Sequence, residues 1–267
     1  MRNRPTQKAT PLAAAAPLGA AAAPLGAAAL ALLVTLGTTP AFAGDYARVD
    51  VMGFSTDGSR FAFEEYGTQD GSGFPYSNIY LFDVDRDAWL GNSPFRQLDE
   101  VGDATPAQAQ AALERTREAN REEAWDLIVS AGIAGRGDTV AHNPPTERGA
   151  DPHLMIASMR PEVPAFGAQV ELRLTEHAVE RPARCPDGFG EMKGFRLTLT
   201  LEGETRVLND DARLPQSRGC ALGYRIERLA LHHPADGGPT AFAVLILVEQ
   251  VGFEGPDGRH LAITGRL

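Results

Sequence analysis

Short stretches of alternating apolar and polar residues, separated by turn residues, run through this chain and set its predicted elements. Val49 and Val51 alternate with charged neighbours up to Gly53-Phe54-Ser55-Thr56-Asp57-Gly58, whose Asp-Gly pair signals a turn. Arg60–Tyr66 resumes with aromatic residues at a period of two. A glycine-rich stretch from Gly67 to Ser77 leads into Asn78–Val84, and Asp85-Arg86-Asp87 turns the chain toward Ala88-Trp89-Leu90. Strands joined by such short turns pair antiparallel, so residues 44–104 are expected to form a β-meander.

The period then changes. Thr105-Pro106-Ala107-Gln108 has the features of a helix start: a threonine cap, a proline in the first turn where its missing N–H costs nothing, and a glutamine completing a capping box. Leu113, Thr116, Asn120, Leu127 and Ile128 mark a thin inner face, and Gly132 ends a helix expected over 106–131. On the outer face Glu114/Arg117 and Glu118/Arg121 are spaced to pair with one another in solvent. Beyond Gly132 only β patterns follow: His153–Met159, Gln169–Glu176, Phe195–Leu201, Thr205–Leu208, Tyr224–Leu231, Thr240–Val251 and His260–Thr264. Phe242–Val248 is continuously apolar, as expected of a central strand covered on both faces. The expected fold is mainly β, with antiparallel sheets in a sandwich-like or irregular arrangement and one main helix.

Composition divides the 267 residues into two parts. Residues 1–43 carry Arg2, Arg4 and Lys8, no acid, and an apolar run ending before Ala41-Phe42-Ala43. A positive start, a short apolar core and small residues before the cut make this an expected secretory signal peptide, cleaved between Ala43 and Gly44. Without its three cations, 25 basic and 35 acidic side chains become 22 and 35, a net charge of −13 on residues 44–267. That charge repels nucleic acid and anionic membrane surfaces, so neither is an expected partner, and no stable membrane insertion is expected after cleavage. Residues 44–267 are expected to be one exported domain, divided as meander (44–104), helix (105–132) and β region (133–267). Cys185 and Cys220 are the two cysteines, and cysteines in an oxidising compartment usually pair; two free buried thiols are the alternative.

The most distinctive polar stretch is Glu64–Ser77, with three carboxylates, a glutamine and two tyrosines among glycines. It reads either as a binding loop or as an ordinary hairpin connection. As a binding loop, Glu64, Glu65, Tyr66, Gln69, Asp70 and Tyr76 are the candidate contacts: tyrosines to stack on a sugar or peptide, carboxylates for acid–base work or a cation. Asp83-Val84-Asp85-Arg86-Asp87 mimics the start of a calcium loop but has Ala88 where the glycine belongs, so a turn is expected there. The six histidines have no compact ligand spacing and are read as loop or surface residues; His142 with Glu147 is a conceivable base and orienter. No cofactor or metal is expected, and no catalytic residue is assigned.

Gly53-Phe54-Ser55-Thr56-Asp57-Gly58 returns as Gly252-Phe253-Glu254-Gly255-Pro256-Asp257-Gly258. This phrasing resembles the WD40-like repeats of Tol-Pal-type β-propellers, which implies a degenerate small propeller as the alternative fold. Phe61–Gly67, Gln69–Ser77, His142-Asn143-Pro144, Pro215 with Ser217–Cys220 and Gly252–Arg259 together resemble a family of predicted secreted proteins of unknown function from Gram-negative proteobacteria. The resemblance implies export to the periplasm or beyond and brings no catalytic residues. Two functions follow: a non-catalytic envelope module that binds a peptide, glycan or protein partner through Glu64–Ser77, or a hydrolase using that loop's carboxylates. The missing nucleophile and metal signatures favour the first.

Overall fold

The computed structural model describes residues 44–165 and 167–267, so the expected signal peptide and its cleavage site lie outside the described residues. The meander forms as β1 (Arg48–Ser55), β2 (Arg60–Thr68), β3 (Pro75–Asp83) and β4 (Ala88–Trp89), each antiparallel to the next. Two short strands join this first sheet that alternation does not reveal, β5 (Phe95–Leu98) on β3 and β6 (Ile133–Arg136) on β1. β6 meets β1 where β1 bulges, and Gly53 sits there at φ +89°. A Cβ on it would stand 2.8 Å from the backbone of Gly135, so only glycine allows the approach.

Helix α1 (Pro106–Ser130) starts with the expected capping box and covers one face of this sheet. Ala124 and Ile128 pack on Ala62, Ile79, Leu81 and Phe95. Its charged outer face is not wholly in solvent as expected. Arg117 is only 11% exposed, because it and Arg121 turn back onto the sheet to reach Glu64.

The other face of the first sheet meets a central sheet in the order β14 (Asp257–Arg266), β13 (Ala241–Gln250), β12 (Ala221–His232) and β7 (Asp138–His142). A third sheet, β11 (Glu204–Asp210), β10 (Lys193–Leu201), β9 (Gln169–Ala178) and β8 (Leu154–Ser158), covers the far side. The order of layers is helix, first sheet, central sheet, third sheet. β13 is the strand expected to be covered twice, and it is. Ala241, Ala243 and Leu245 face Phe54, Phe61 and Phe82 of the first sheet, while Phe242, Val244 and Ile246 face Leu172, Leu197 and Leu199 of the third. A strand apolar on both faces has to lie between two sheets, since each face removes its own side chains from water.

The fold is thus mainly β with antiparallel sheets and one helix. The propeller alternative gives way to sheets stacked face on face, because the chain between the two Gly-Phe phrases builds layers rather than blades. The second phrase also differs in detail: Asp257-Gly258 opens β14, whereas Asp57-Gly58 lies in the turn between β1 and β2. Cys185 and Cys220 are bonded, tying the loop after β9 to the start of β12. Among the described residues, no helix is long and apolar enough to cross a membrane.

Candidate functional site

Neighbouring residues on a strand point to opposite faces, and this separates the expected contact residues. Glu64 faces α1, fully buried, where it receives Arg117 Nε at 2.9 Å, Arg121 Nη2 at 2.5 Å and the Ser77 hydroxyl at 3.0 Å. Glu65 faces the central sheet and is buried as well, accepting from Tyr80 at 2.9 Å, Asn78 at 3.1 Å and the His260 backbone at 2.7 Å. Tyr76 is buried against Asp45, which also pairs with Arg259 at 2.6 Å. Tyr66 is held between the guanidinium groups of Arg48 and Arg117.

These four residues support the structure and do not form a shared contact surface. Gln69 and Asp70 alone remain at the loop tip. Gln69 accepts from the Ser72 hydroxyl, and Asp70 accepts from the N–H of Glu254. Gly71 lies beneath the exposed ring of Phe253, in the space a Cβ would need. The expected hydrolase pair therefore does not form, because Glu64, Glu65 and Asp70 point to three different environments. His142 meets Glu227 at 3.4 Å and not Glu147, whose carboxylate caps the N–H of Gly149. The calcium-like aspartates also diverge: Asp83 pairs with Arg60, Asp85 with Arg266, and Asp87 accepts from Thr264.

The polar chemistry gathers instead in the space between the first and central sheets. That space is apolar at one end, around Phe61 and Leu245, and ionic at the other. A bulge in β12 sets two residues, Glu227 and Arg228, opposite Leu245 and aims Glu227 at β14. There its Oε2 pairs with His260 Nε2, while His260 Nδ1 lies 3.6 Å from Oε2 of Glu65. Burial opposes a charge on the His260 ring, but hydrogen bonds and charge from Glu227 and Glu65 outweigh it, so its pKa is pushed up to about 9. Burial likewise opposes charge on the two glutamates, yet the same imidazolium holds both below their ordinary value. His260 and His232 are buried, contrary to their expected surface placement.

This ionic end opens to solvent as a cleft of about 350 Å³ between the β3–β4 edge, β14 and the 3-10 turn Gln216–Arg218. Its walls include Tyr80, Trp89, Arg96 and Arg218. Trp89 is 45% exposed and ends an aromatic row through Tyr80 and Phe63 that begins in the core. Arg218 is fixed by Asp211 and by Asn209 at 3.1 Å, next to the disulfide at Cys220. Arg96 is exposed and makes no ion pair among the described residues. Sequence reasoning did not single out Trp89, Arg96, Arg218 or Glu227. The one available signal was the pair of consecutive charges at Glu227-Arg228, which breaks the alternation of Tyr224-Arg225-Ile226.

A family described as "Predicted secreted protein (DUF2259)" matches residues 62–266. The chain belongs to this family. The match begins within β2 and ends within β14, so it takes in the cleft, the central sheet and the disulfide. No curated protein and no solved structure matches the chain.

Proposed function

We propose that this secreted protein is a periplasmic binding module of the cell envelope and that it holds a peptide or glycan in the cleft beside Trp89, not at the Glu64–Ser77 loop. The observation that carries this reading is how the cleft's ionisable groups are used. His260 is held between two carboxylates, Asp87 is occupied by the N–H and hydroxyl of Thr264, and Arg218 is paired with Asp211. A general base needs a lone pair free near neutral pH, and an imidazole with a pKa of about 9 has already taken its proton. The groups left open are Trp89 and Arg96, a stacking ring backed by Tyr80 and a guanidinium, which are recognition groups. This use of the groups supports binding over a carboxylate hydrolase.

The test is binding of the exported protein to peptide and glycan arrays, repeated with Trp89→Ala and Gln69→Ala. A ligand lost with Trp89→Ala and kept with Gln69→Ala is the expected result. Retention in Trp89→Ala with loss in Gln69→Ala returns the site to the loop. Turnover of any arrayed substrate overturns the non-catalytic reading.

A further inference from the structure

β14 is an edge strand, and its outward backbone groups are satisfied one position at a time. In its register with β13, Ala262 lies opposite Leu245 and His260 opposite Leu247, and the even-numbered residues turn their N–H and C=O away from β13. Gly258 meets the chain's own residues 45–47: its N–H donates to Asp45, its carbonyl accepts from Ala47, and Tyr46 bridges it in parallel. His260 donates to Glu65 at 2.7 Å and Thr264 to Asp87 at 2.7 Å. Between these two carboxylates stands Ala262, whose N–H and C=O have no partner among the described residues.

This gap faces the cleft. His260, Leu261, Ala262 and Ile263 all line it, although their side chains alternate between two sheets. Four consecutive strand residues share one cavity only when the cavity runs along the strand's edge. From His260 to Thr264 the edge is about 13 Å long, but the carboxylates of Glu65 and Asp87 hold its two ends, so a bound segment bridges at Ala262 alone.

We propose that the edge of β14 at Ala262 is a β-addition site for an extended peptide carrying an acidic residue, an inference that rests on the cleft being the binding site. The peptide's carbonyl accepts from the Ala262 N–H, and its own N–H donates to the Ala262 carbonyl, as residues 45–47 do four residues earlier at Gly258. Trp89 and Tyr80 wall one side for an apolar side chain. Charge selects the acidic residue through Arg96, the cleft cation without an ion pair among the described residues; Arg218 is already paired with Asp211, and His260 with Glu227. A carboxylated sugar would use Arg96 and Trp89 but has no use for a strand edge.

Random heptapeptides displayed on phage, panned against the exported protein, supply the probe. The expected winners place Asp or Glu beside β-branched residues. Their synthetic forms should shift the Ala262 amide resonance and bind at least about tenfold more weakly to Arg96→Glu, or when the nitrogen facing Ala262 is methylated. N-methylation leaves the protein unaltered, so that arm holds even where Arg96→Glu perturbs folding. Enriched peptides that tolerate methylation at every position and leave Ala262 unshifted overturn the proposal. If no peptide is enriched while a uronic acid oligosaccharide binds through Trp89, the binding-module reading stands and β-addition falls. If neither binds, both fall.

Discussion

The backbone N–H of His260 donates to Oε2 of Glu65 at 2.7 Å, across 195 positions of sequence. A side chain from the first sheet thereby fills a place that a neighbouring strand would otherwise take at the edge of the central sheet. The same carboxylate oxygen lies 3.6 Å from Nδ1 of the His260 ring. One residue of β2 caps an edge and holds a charge, which fastens the first sheet to the central one at their polar end.

This clasp makes stability depend on pH. The folded pKa of His260, about 9, lies above its ordinary value of 6.5, so its contribution is complete below pH 6.5 and is lost as pH rises through 9. Glu65 and Glu227 are held below 4.5, so theirs is present above that value and lost as pH falls. The charges facing the ring are Glu65 on β2, Glu227 on β12 and Arg259 on β14, with His142 and Arg228 beyond Glu227 and Arg218 at the cleft. Melting temperature should hold level between about pH 5 and 6.5 and decline toward pH 9. His260→Asn should flatten that decline, and a level wild-type profile across it would count against a charged ring.

Glu64 should matter for stability and not for binding. Glu64→Ala takes from Arg117, 11% exposed, its buried carboxylate and leaves it only the exposed Asp50 and Glu114, and should cost about 3 kcal/mol in urea unfolding. Arg121 is 42% exposed, so Arg121→Ala should cost less than about 1 kcal/mol. Affinity at the cleft should be unchanged in both, as isothermal titration with a selected peptide would show.

The disulfide should act on both properties. Its cysteines lie 35 positions apart, and on the chain-entropy account the bridge stabilises by about 4 kcal/mol. Cys185→Ser with Cys220→Ser should lower the unfolding midpoint accordingly. Binding should weaken too, since Arg218 stands two residues from Cys220 and loses the tie that holds its turn in place.

Leu245 tests the stacking of the sheets. It is fully buried between the first and central sheets, so Leu245→Ala should cost about 3 kcal/mol through the cavity it leaves. Ile156 on β8 is 52% exposed, and Ile156→Ala should change stability by less than about 0.5 kcal/mol. Equal effects at the two positions would contradict the order of layers.

Much of the fold was legible where local chemistry is strong. The Thr105-Gln108 box, the alternation in β2 and β3 and the unbroken apolar run of β13 each act within a few residues. β5, β6 and β7 were not legible. They are four or five residues long, largely exposed, and β6 and β7 flank Gly137, so their pairing is imposed by β3, β1 and β12. The expected contact residues are neighbours in sequence but not in environment, for a related reason. Glu64 and Glu65 stand side by side in sequence, and strand geometry alone already sends them to opposite faces.

The sequence by itself determined a mainly β chain with one capped helix, a strand that must lie between two sheets, and the two cysteines that bond. Those properties follow from period, capping and composition, which are local or countable. Only the tertiary structure decided which polar groups are spent and which stay open. A period of two says that a strand has two faces, but it does not say what each face meets. The stacking put Arg117 over Glu64 and His260 against Glu65, left Trp89 and Arg96 exposed, and set the edge of β14 at Ala262 against the cleft.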